Sequence, residues 1–266
     1  MDSTLFYIIL FSLLGGVISL IGGFFLLWQS EFTKKILVHL ITFSAGTLLA
    51  VAFLDLLPEA FEVTTREPAS VLPWTLAGIL FFFLFERLIL RLHTHDESDE
   101  IEHEKTRHGR GSLPVLVTAG DAIHNFIDGI AITAGFLVSI PTGVITALAV
   151  AAHEIPQEIA DFSIMLHGGM SRRRVAWLNV GAALMSTLGA LVAYLFRDAL
   201  EPHLAAILAF TAGIFIYIAS SDLFPEIHHA HHNNSKATHL LHITVLLLAG
   251  VGLVWFLAQT IEQLVH

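Results

Sequence analysis

The densest group of chemically competent side chains lies between Asp121 and Asp161, in surroundings made of Leu, Ile, Val, Ala and Phe. It begins with D-A-I-H-N-F-I-D-G and ends, after a long apolar run, with H-E-I-P-Q-E-I-A-D. Imidazole, carboxylate and amide groups are ligands for divalent ions such as Zn, Fe(II) and Mn. Ionisable groups are costly inside membrane-spanning segments and usually serve a function there. The pattern therefore indicates a metal site or a proton relay within a membrane.

Helical spacing predicts which of these side chains meet. One face of the first segment collects residues spaced i, i+3, i+4 and i+7, namely Asp121, His124, Asn125 and Asp128. The second segment carries its polar residues one turn apart, at His153, Glu154, Gln157, Glu158 and Asp161. Pro156 cannot donate a backbone hydrogen bond, so it frees a carbonyl and is expected to bend the second helix. Two such helices facing each other would form a nitrogen and oxygen site for a divalent cation.

The composition of the chain indicates which kind of secondary structure carries these polar residues. The chain of 266 residues is 55% hydrophobic and 14% charged, whereas soluble domains carry roughly 25% charge. This predicts an all-α membrane protein that crosses the bilayer several times. The absence of cysteine excludes disulfides and thiolate ligands. The net charge of −10 is spread over short loops, and nothing in the chain is typical of a nucleic-acid-binding protein.

Hydropathy predicts one transmembrane domain over residues 1–266, because runs of about 20 apolar residues recur along the whole chain. The first run follows Met1 to Thr4 without a basic region or an A-x-A cleavage site, so we expect a retained span and not a signal peptide. The eight predicted spans are Leu5–Trp28, Ile36–Pro58, Leu72–Leu92, Leu113–Ser139, Thr142–His167, Val175–Phe196, His203–Glu226 and His239–Ile261.

The distribution of positive charge predicts the orientation of these spans. Of the 13 Lys and Arg residues, only Arg66 and Arg197 fall on the side opposite the first predicted loop, 29–35. Cytoplasmic loops carry the excess of Lys and Arg, so both termini are expected outside the cytoplasm. Two predicted cytoplasmic loops, 93–112 and 227–238, are rich in histidine. They are either acidic linkers or segments that capture metal weakly.

An internal repeat relates the second and seventh predicted spans. The letters F-S-A-G and D-L-L-P-E, at 43–46 and 55–59, recur without a gap as F-T-A-G and D-L-F-P-E at 210–213 and 222–226. These spans run in opposite directions, which predicts an inverted repeat of spans 1–3 and 6–8 around spans 4 and 5. Such repeats place a substrate site near mid-membrane. The acids expected to form a path from that site toward the cytoplasm are Asp121, Glu158, Asp161, Asp222 and Glu226.

Three other interpretations of the polar cluster are open. A buried polar network could tie two helices together, although two histidines and five acids exceed what that role needs. A proton relay without metal could drive transport of another solute. The letters H-E at 153–154 begin like the zinc-protease motif H-E-x-x-H, but Gln157 replaces its second histidine and Pro156 interrupts its helix. We therefore do not expect an enzyme.

The two polar segments resemble motifs of the ZIP (Zrt/Irt-like) family of divalent metal transporters. H-N-F-I-D-G-I-A-I at 124–132 matches the fourth span of that family, and H-E-I-P-Q-E-I-A-D is similar to the subfamily motif H-E-x-P-H-E-x-G-D. Gln157 stands where the motif has His, and Ala160 stands where it has Gly. Ser186 occupies a position where some bacterial relatives carry a Glu that joins a second metal.

The resemblance implies a function and a site. It implies import of zinc, with iron, manganese or cadmium as further substrates, into the cytoplasm across the cell membrane. It also implies a homodimer in the lipid bilayer, no resident cofactor, and an elevator-like movement of a bundle that contains spans 4 and 5. The two-metal centre of the family maps onto His124, Asn125, Asp128, Glu154 and Gln157, with His153 close by.

Overall fold

The computed structural model describes residues 3–64, 67–95, 112–167, 169–232 and 237–265. Almost all of these residues are helical and none of them lies in a strand, which confirms the predicted all-α class. The helices are α1 (Ser3–Trp28), α2 (Ser30–Val51), α3 (Leu57–Val63), α4 (Leu72–His95), α5 (Ser112–Val138), α6 (Ile140–His167), α7 (Arg172–Leu195), α8 (Arg197–Leu200), α9 (Leu204–Tyr217), α10 (Phe224–His232) and α11 (Ala237–Val265). Short 3₁₀ turns lie at Pro68–Ser70 and Glu201–His203.

Six segments of the described chain are long and apolar enough to cross a membrane. They are Ser3–Trp28, Ile36–Val63, Thr118–Val138, Arg172–Leu195, Arg197–His228 and Leu240–Thr260. Helices α4 and α6 have similar lengths, 24 and 28 residues. Helix α6 falls short in hydropathy because it carries the polar residues from His153 to Asp161.

Several helix ends differ from the predicted span boundaries, because hydropathy marks the apolar core of a membrane and not the end of a helix. The predicted loop 29–35 is helical from Ser30 onward. The second predicted span does not end at Pro58, since helical structure continues to Val63. Of the predicted loop 93–112, residues 93–95 end α4 and 96–111 lie outside the described residues. Of 227–238, residues 227–232 belong to α10 and 237–238 to α11, and 233–236 are outside that description.

Two π-helical turns interrupt the repeated motif at equivalent positions. Ala52–Leu56 joins α2 to α3, and Ile218–Leu223 joins α9 to α10. After each turn, a backbone N–H donates to the carbonyl oxygen five residues back. Leu57 donates to Ala52, and Phe224 donates to Ala219. Proline comes next in both motifs, and its ring clashes with the carbonyl four residues earlier. A wide turn relieves that clash, and wide turns of this kind often occur at functional sites.

Glycines let the long helices pack backbone against backbone in two groups. The first group contains α1, α5, α6 and α7. Within it, a Cβ on Gly129 would lie 1.9 Å from the carbonyl oxygen of Ser186, and one on Gly189 would lie 2.1 Å from that of Phe126. Helices α5 and α7 therefore touch through reciprocal glycines, with no room for a side chain between them.

The second group contains α2, α4, α9 and α11, and glycines join it in the same way. A Cβ on Gly250 of α11 would lie 2.4 Å from the carbonyl oxygen of Phe43 on α2. A Cβ on Gly78 of α4 would lie 2.0 Å from the carbonyl oxygen of Phe210 on α9. Phe43 and Phe210 are the first residues of the two repeated F-x-A-G segments. The polar pair α5 and α6 lies where the two groups meet, because α6 also packs on α2 and α5 on α9.

Candidate metal centre

Four side chains from α5 and α6 converge on one point. The Nε2 atoms of His124 and His153 are 3.2 Å apart. Asp128 Oδ2 lies 3.5 Å from His124 Nε2 and 3.4 Å from His153 Nε2. Glu154 Oε1 lies 3.4 Å and 3.7 Å from the same two nitrogens. The four ligand atoms all lie within 4.8 Å of one another, and all four residues are buried.

These separations suit a four-coordinate divalent ion. Zinc binds imidazole nitrogen and carboxylate oxygen at about 2.0–2.2 Å, so ligand atoms at the corners of a tetrahedron are roughly 3.3–3.6 Å apart. The distances between each imidazole nitrogen and its partners run from 3.2 to 3.7 Å. The side chains therefore need little rearrangement to hold such an ion.

Helix α6 itself orients the His153 ring. Its Nδ1 lies 3.0 Å from the carbonyl oxygen of Ala149, one turn back. A carbonyl can only accept, so Nδ1 carries the proton and Nε2 keeps a lone pair that faces the cluster. On the other ring, Phe82 packs edge-on against His124 with the centroids 5.4 Å apart. Both imidazoles are thus held before any ion arrives.

Pro156 leaves a carbonyl free on α6, as the sequence predicts, and a second helix uses it. Helical structure continues through Pro156. The Ala152 carbonyl, which a residue other than proline would bond at position 156, accepts a hydrogen bond of 2.5 Å from Ser44 Oγ. Ser44 belongs to the first repeated F-S-A-G segment. This contact ties α2 to α6 at the level of His153.

The two amide side chains connect the cluster to a further acid. Asn125 Nδ2 donates to Asp121 Oδ1 at 2.9 Å and to Glu154 Oε2 at 3.4 Å. Gln157 Nε2 donates to the same Asp121 oxygen at 3.2 Å. Both amide nitrogens thus face carboxylates, whereas a metal would need the amide oxygens. Metal binding by Asn125 and Gln157 stays a prediction.

A cavity of about 820 Å³ leads away from the cluster on one side. The expected pathway residues that line it, together with His124 and His153, are Asp121, Asp161, Asp222 and Glu226. Glu158 is the exception, because it is fully buried and does not line the cavity. Ala160, Pro225 and Glu226 are exposed and mark the wide end of the cavity.

Packed apolar side chains close the opposite side of the cluster. Leu48, Val51, Ile132 and Phe215 are completely buried and belong to one apolar core. The ring of Phe215 lies against His153, with the ring centroids 5.9 Å apart. Among the described residues, the cluster thus faces the cavity on one side and a packed apolar core on the other.

Two residues near the cavity were not singled out from the sequence. Glu86 of α4 lines the cavity and accepts a hydrogen bond from the Tyr217 hydroxyl of α9. In the sequence, Glu86 is a single acid beside Arg87 near the end of an apolar run, which is typical of a residue at the membrane interface. Tyr217 belongs to no spaced set of polar residues, so its role could not be predicted. Only the packing of α4 against α9 brings them together.

Comparison with known proteins agrees with this geometry. A family model described as "ZIP Zinc transporter" matches residues 3–115 and 93–258. A relative named zinc transporter ZIP4 from Mus musculus is 40% identical over 158 residues, which are 58% of this chain and 24% of that protein. Zinc transporter ZIP13 from Pongo abelii is 34% identical over 75% of this chain and 61% of that protein. A ZIP13 homolog from Drosophila melanogaster is 29% identical over 82% of this chain and 81% of that protein.

The chain spans less than two thirds of the length of most of these relatives. The aligned share is 24% for the Mus musculus protein and 61% for the Pongo abelii protein. The residues that converge on the cluster, from 124 to 154, fall inside the region matched by the family model.

Proposed function

The chain belongs to the ZIP family of zinc transporters, and on that premise we propose that it carries divalent transition-metal ions, zinc first among them, into the cytoplasm. Proteins of this family are transporters and not enzymes. The observation that carries the proposal is the convergence of His124, Asp128, His153 and Glu154 within 4.8 Å in a buried site. Iron, manganese and cadmium are further candidate substrates because the site contains no thiolate.

Charge balance favours a metal ion over a proton relay at this site. Two carboxylates and two neutral imidazoles around a divalent ion give a complex with no net charge, which costs least in a low-dielectric interior. A relay needs its groups in sequence along a path, whereas these four converge on one point. We propose Asn125 and Gln157 as additional ligands once their amide oxygens turn toward the ion.

The chain is a multi-pass membrane protein, and we propose that it forms one transmembrane domain of eight spans with both termini outside the cytoplasm. The spans are α1, α2 with α3, α4, α5, α6, α7, α8 through α10, and α11. The wide end of the cavity lies beside the C-terminal half of α6 and the first residues of α10. In the orientation that Lys and Arg favour, this end faces the cytoplasm, so an ion leaves past Asp121, Asp161, Asp222 and Glu226.

Packing supports an inverted repeat of spans 1–3 and 6–8. The contact of Phe43 with Gly250 joins α2 to α11, and the equivalent Phe210 contacts Gly78 and joins α9 to α4. The π-helical turns Ala52–Leu56 and Ile218–Leu223 follow these contacts at matching distances along the chain. Helices α5 and α6 then form the central pair, as expected for a substrate site at the repeat interface.

The two glycine-packed groups support a movement of one group against the other. Close backbone contacts join helices within each group, so a shift of one group against the other would open the site and keep these contacts. We propose that α1, α5, α6 and α7 move together with the ion. The homodimer and the location in the cell membrane rest on the family resemblance alone and belong to the same proposal.

Uptake by purified protein in liposomes tests the function directly. Wild type is expected to admit Zn, and to different extents Fe(II), Mn and Cd, to a metal-sensitive dye inside. His124→Ala should lose this entry because it removes one of two imidazole ligands. His203→Ala, at an exposed residue far from the cluster in sequence, is the matched control. Folded wild-type protein that admits no metal would favour a proton-coupled transporter of another solute.

Gln157→His is expected to shift the substrate preference toward zinc. Gln157 lies one turn after His153 and 3.2 Å from Asp121, so an imidazole there adds a nitrogen ligand, which zinc favours more than manganese does. The measurement is the ratio of Zn to Mn uptake when both ions compete. Gln259→His, on an exposed part of α11, supplies the control. A ratio equal to that of wild type would mean that residue 157 does not contact the ion.

A further inference from the structure

Glu158 is a buried acid that the histidine cluster does not use. It lies one turn after Glu154 on α6 and is completely buried, yet no described residue forms a hydrogen bond with either carboxylate oxygen. Asp121 Oδ2 is equally buried and equally without a partner in the described chain. Burying an ionised group without a partner is strongly unfavourable, so each of these carboxyl groups is either protonated or bound to a ligand.

The two unpartnered acids have a third acid beside them. Asp161 follows Glu158 by three residues on α6, and Asp121 contacts α6 at Gln157, the residue before Glu158. Among the described residues, no ion pair joins any of the three to a Lys or Arg. Three carboxylates from two adjacent helices therefore share a region of low dielectric without a positive group.

We propose that Asp121, Glu158 and Asp161 form a second divalent-cation site, which receives the ion from the histidine cluster and passes it to the cavity. The identity of the ion as cargo rests on the proposed function. Amide groups of Asn125 and Gln157 hold Asp121 Oδ1, and this leaves Oδ2 for the cation. Asp161 lines the cavity, so the second site lies between the cluster and the exit.

Protonation alone does not account for Glu158. A protonated carboxyl group has an O–H donor that needs an acceptor and a carbonyl oxygen that needs a donor. Glu158 has neither among the described residues. A divalent cation would engage the carboxylate oxygens directly and would offset the neighbouring charges of Asp121 and Asp161.

The chemistry of the second site differs from that of the first. Its three acids offer oxygen only, and oxygen ligands suit Mn and other hard ions, whereas imidazole adds affinity for zinc. Zinc is therefore expected to bind the second site more weakly than the histidine cluster. A weaker site next to the cavity would let the ion leave.

Manganese binding to the purified full chain in detergent tests the proposal. Free Mn²⁺ is counted by electron paramagnetic resonance for wild type, Glu158→Gln, Asp161→Asn and His153→Ala. Both acid variants are expected to weaken one class of Mn²⁺ sites by roughly tenfold or more, because each removes an anionic ligand. Their zinc affinity at the histidine cluster should stay near that of wild type, and His153→Ala should show the reverse pattern.

Glu62→Gln, at an exposed residue of α3, is the control for loss of a carboxylate. If Glu158→Gln does not fold, Asp161→Asn still tests the proposal. Asp161 is only partly buried, so its substitution disturbs the packing less. If the Mn²⁺ isotherms of both acid variants overlay that of Glu62→Gln, the second site is overturned. An equal loss of zinc and Mn²⁺ affinity would also overturn it, since the acids would then only support the histidines. Zinc binding that survives His153→Ala would instead count against the proposed function.

Discussion

Asp128→Ala is expected to abolish metal uptake while the helices stay folded and inserted. Asp128 Oδ2 lies within 3.5 Å of both imidazole nitrogens, so it is one of the two acids that His124 and His153 share, with Glu154 as the other. Without it, one carboxylate of the cluster must balance a divalent ion in a low-dielectric site. Losing a group that only supports a metal ligand typically costs about tenfold to a hundredfold in metal affinity or activity. Asp128 is itself a proposed ligand, so we expect uptake to fall by roughly a hundredfold or more.

The measurement is initial zinc uptake into liposomes at equal amounts of inserted protein. Circular dichroism and size-exclusion chromatography establish that the variant is folded. Asp198→Ala is the matched control, because that side chain is exposed and pairs only loosely, at 3.6 Å, with Arg197 among the described ion pairs. Near-normal uptake by Asp128→Ala would contradict the assignment of the cluster as the transport site.

Gly189→Ala is expected to cause the second large loss, although residue 189 does not touch the metal centre. A Cβ at this position would lie 2.1 Å from the backbone carbonyl oxygen of Phe126, and a backbone cannot yield as a flexible side chain can. Helix α7 must therefore move away from α5, two residues from Asp128. Overpacking in well-packed interiors costs about 1–3 kcal/mol and sometimes more, so both thermal stability and uptake should fall.

Gly181→Ala provides an internal comparison on the same helix. A Cβ there would meet no atom within 4 Å, so the same added methyl group should leave the melting temperature and uptake unchanged or slightly improved. Thermal melting in detergent and liposome uptake are measured for both variants. Equal behaviour of the two would mean that α5 and α7 are not locked together by their backbones.

The spacing of residues predicted most of the candidate site because helical geometry is regular. Asp121, His124 and Asp128 were placed on one face of a helix by i, i+3 and i+7 alone, and they do face α6. The freed carbonyl before Pro156 also followed from proline chemistry. Its partner Ser44 did not, because no local rule says which helix lies beside Ala152.

Glu158 marks a limit of that spacing argument. It follows Glu154 by one turn, so the sequence placed it on the same path as Asp161. The structure buries it completely, and it does not line the cavity. The angle of a residue around a helix does not reveal which neighbour covers that side. Helix α1 packs closely on α6 here, with Gly22 against Ile155 and Ile159.

Helix ends were predicted less well than helix interiors. Apolar runs located the six segments that could cross a membrane, since burial in lipid depends on composition alone. The π-helical turn before Pro58 kept the second helix going to Val63, beyond the predicted end. Hydropathy placed the end of this span at Pro58, and the π-helical turn before it lets the helix continue.

The paired π-helical turns also carry information about ancestry. A wide turn of this kind accommodates one residue more than an α-helical turn, as one residue inserted into a helix would require. Leu57 bonds to Ala52 and Phe224 to Ala219 at equivalent places in the proposed repeat. Independent insertions at the same place in two halves would be a coincidence. A single wide turn in a half-length ancestor, copied by duplication, would account for both turns, so the pair is what the proposed repeat predicts.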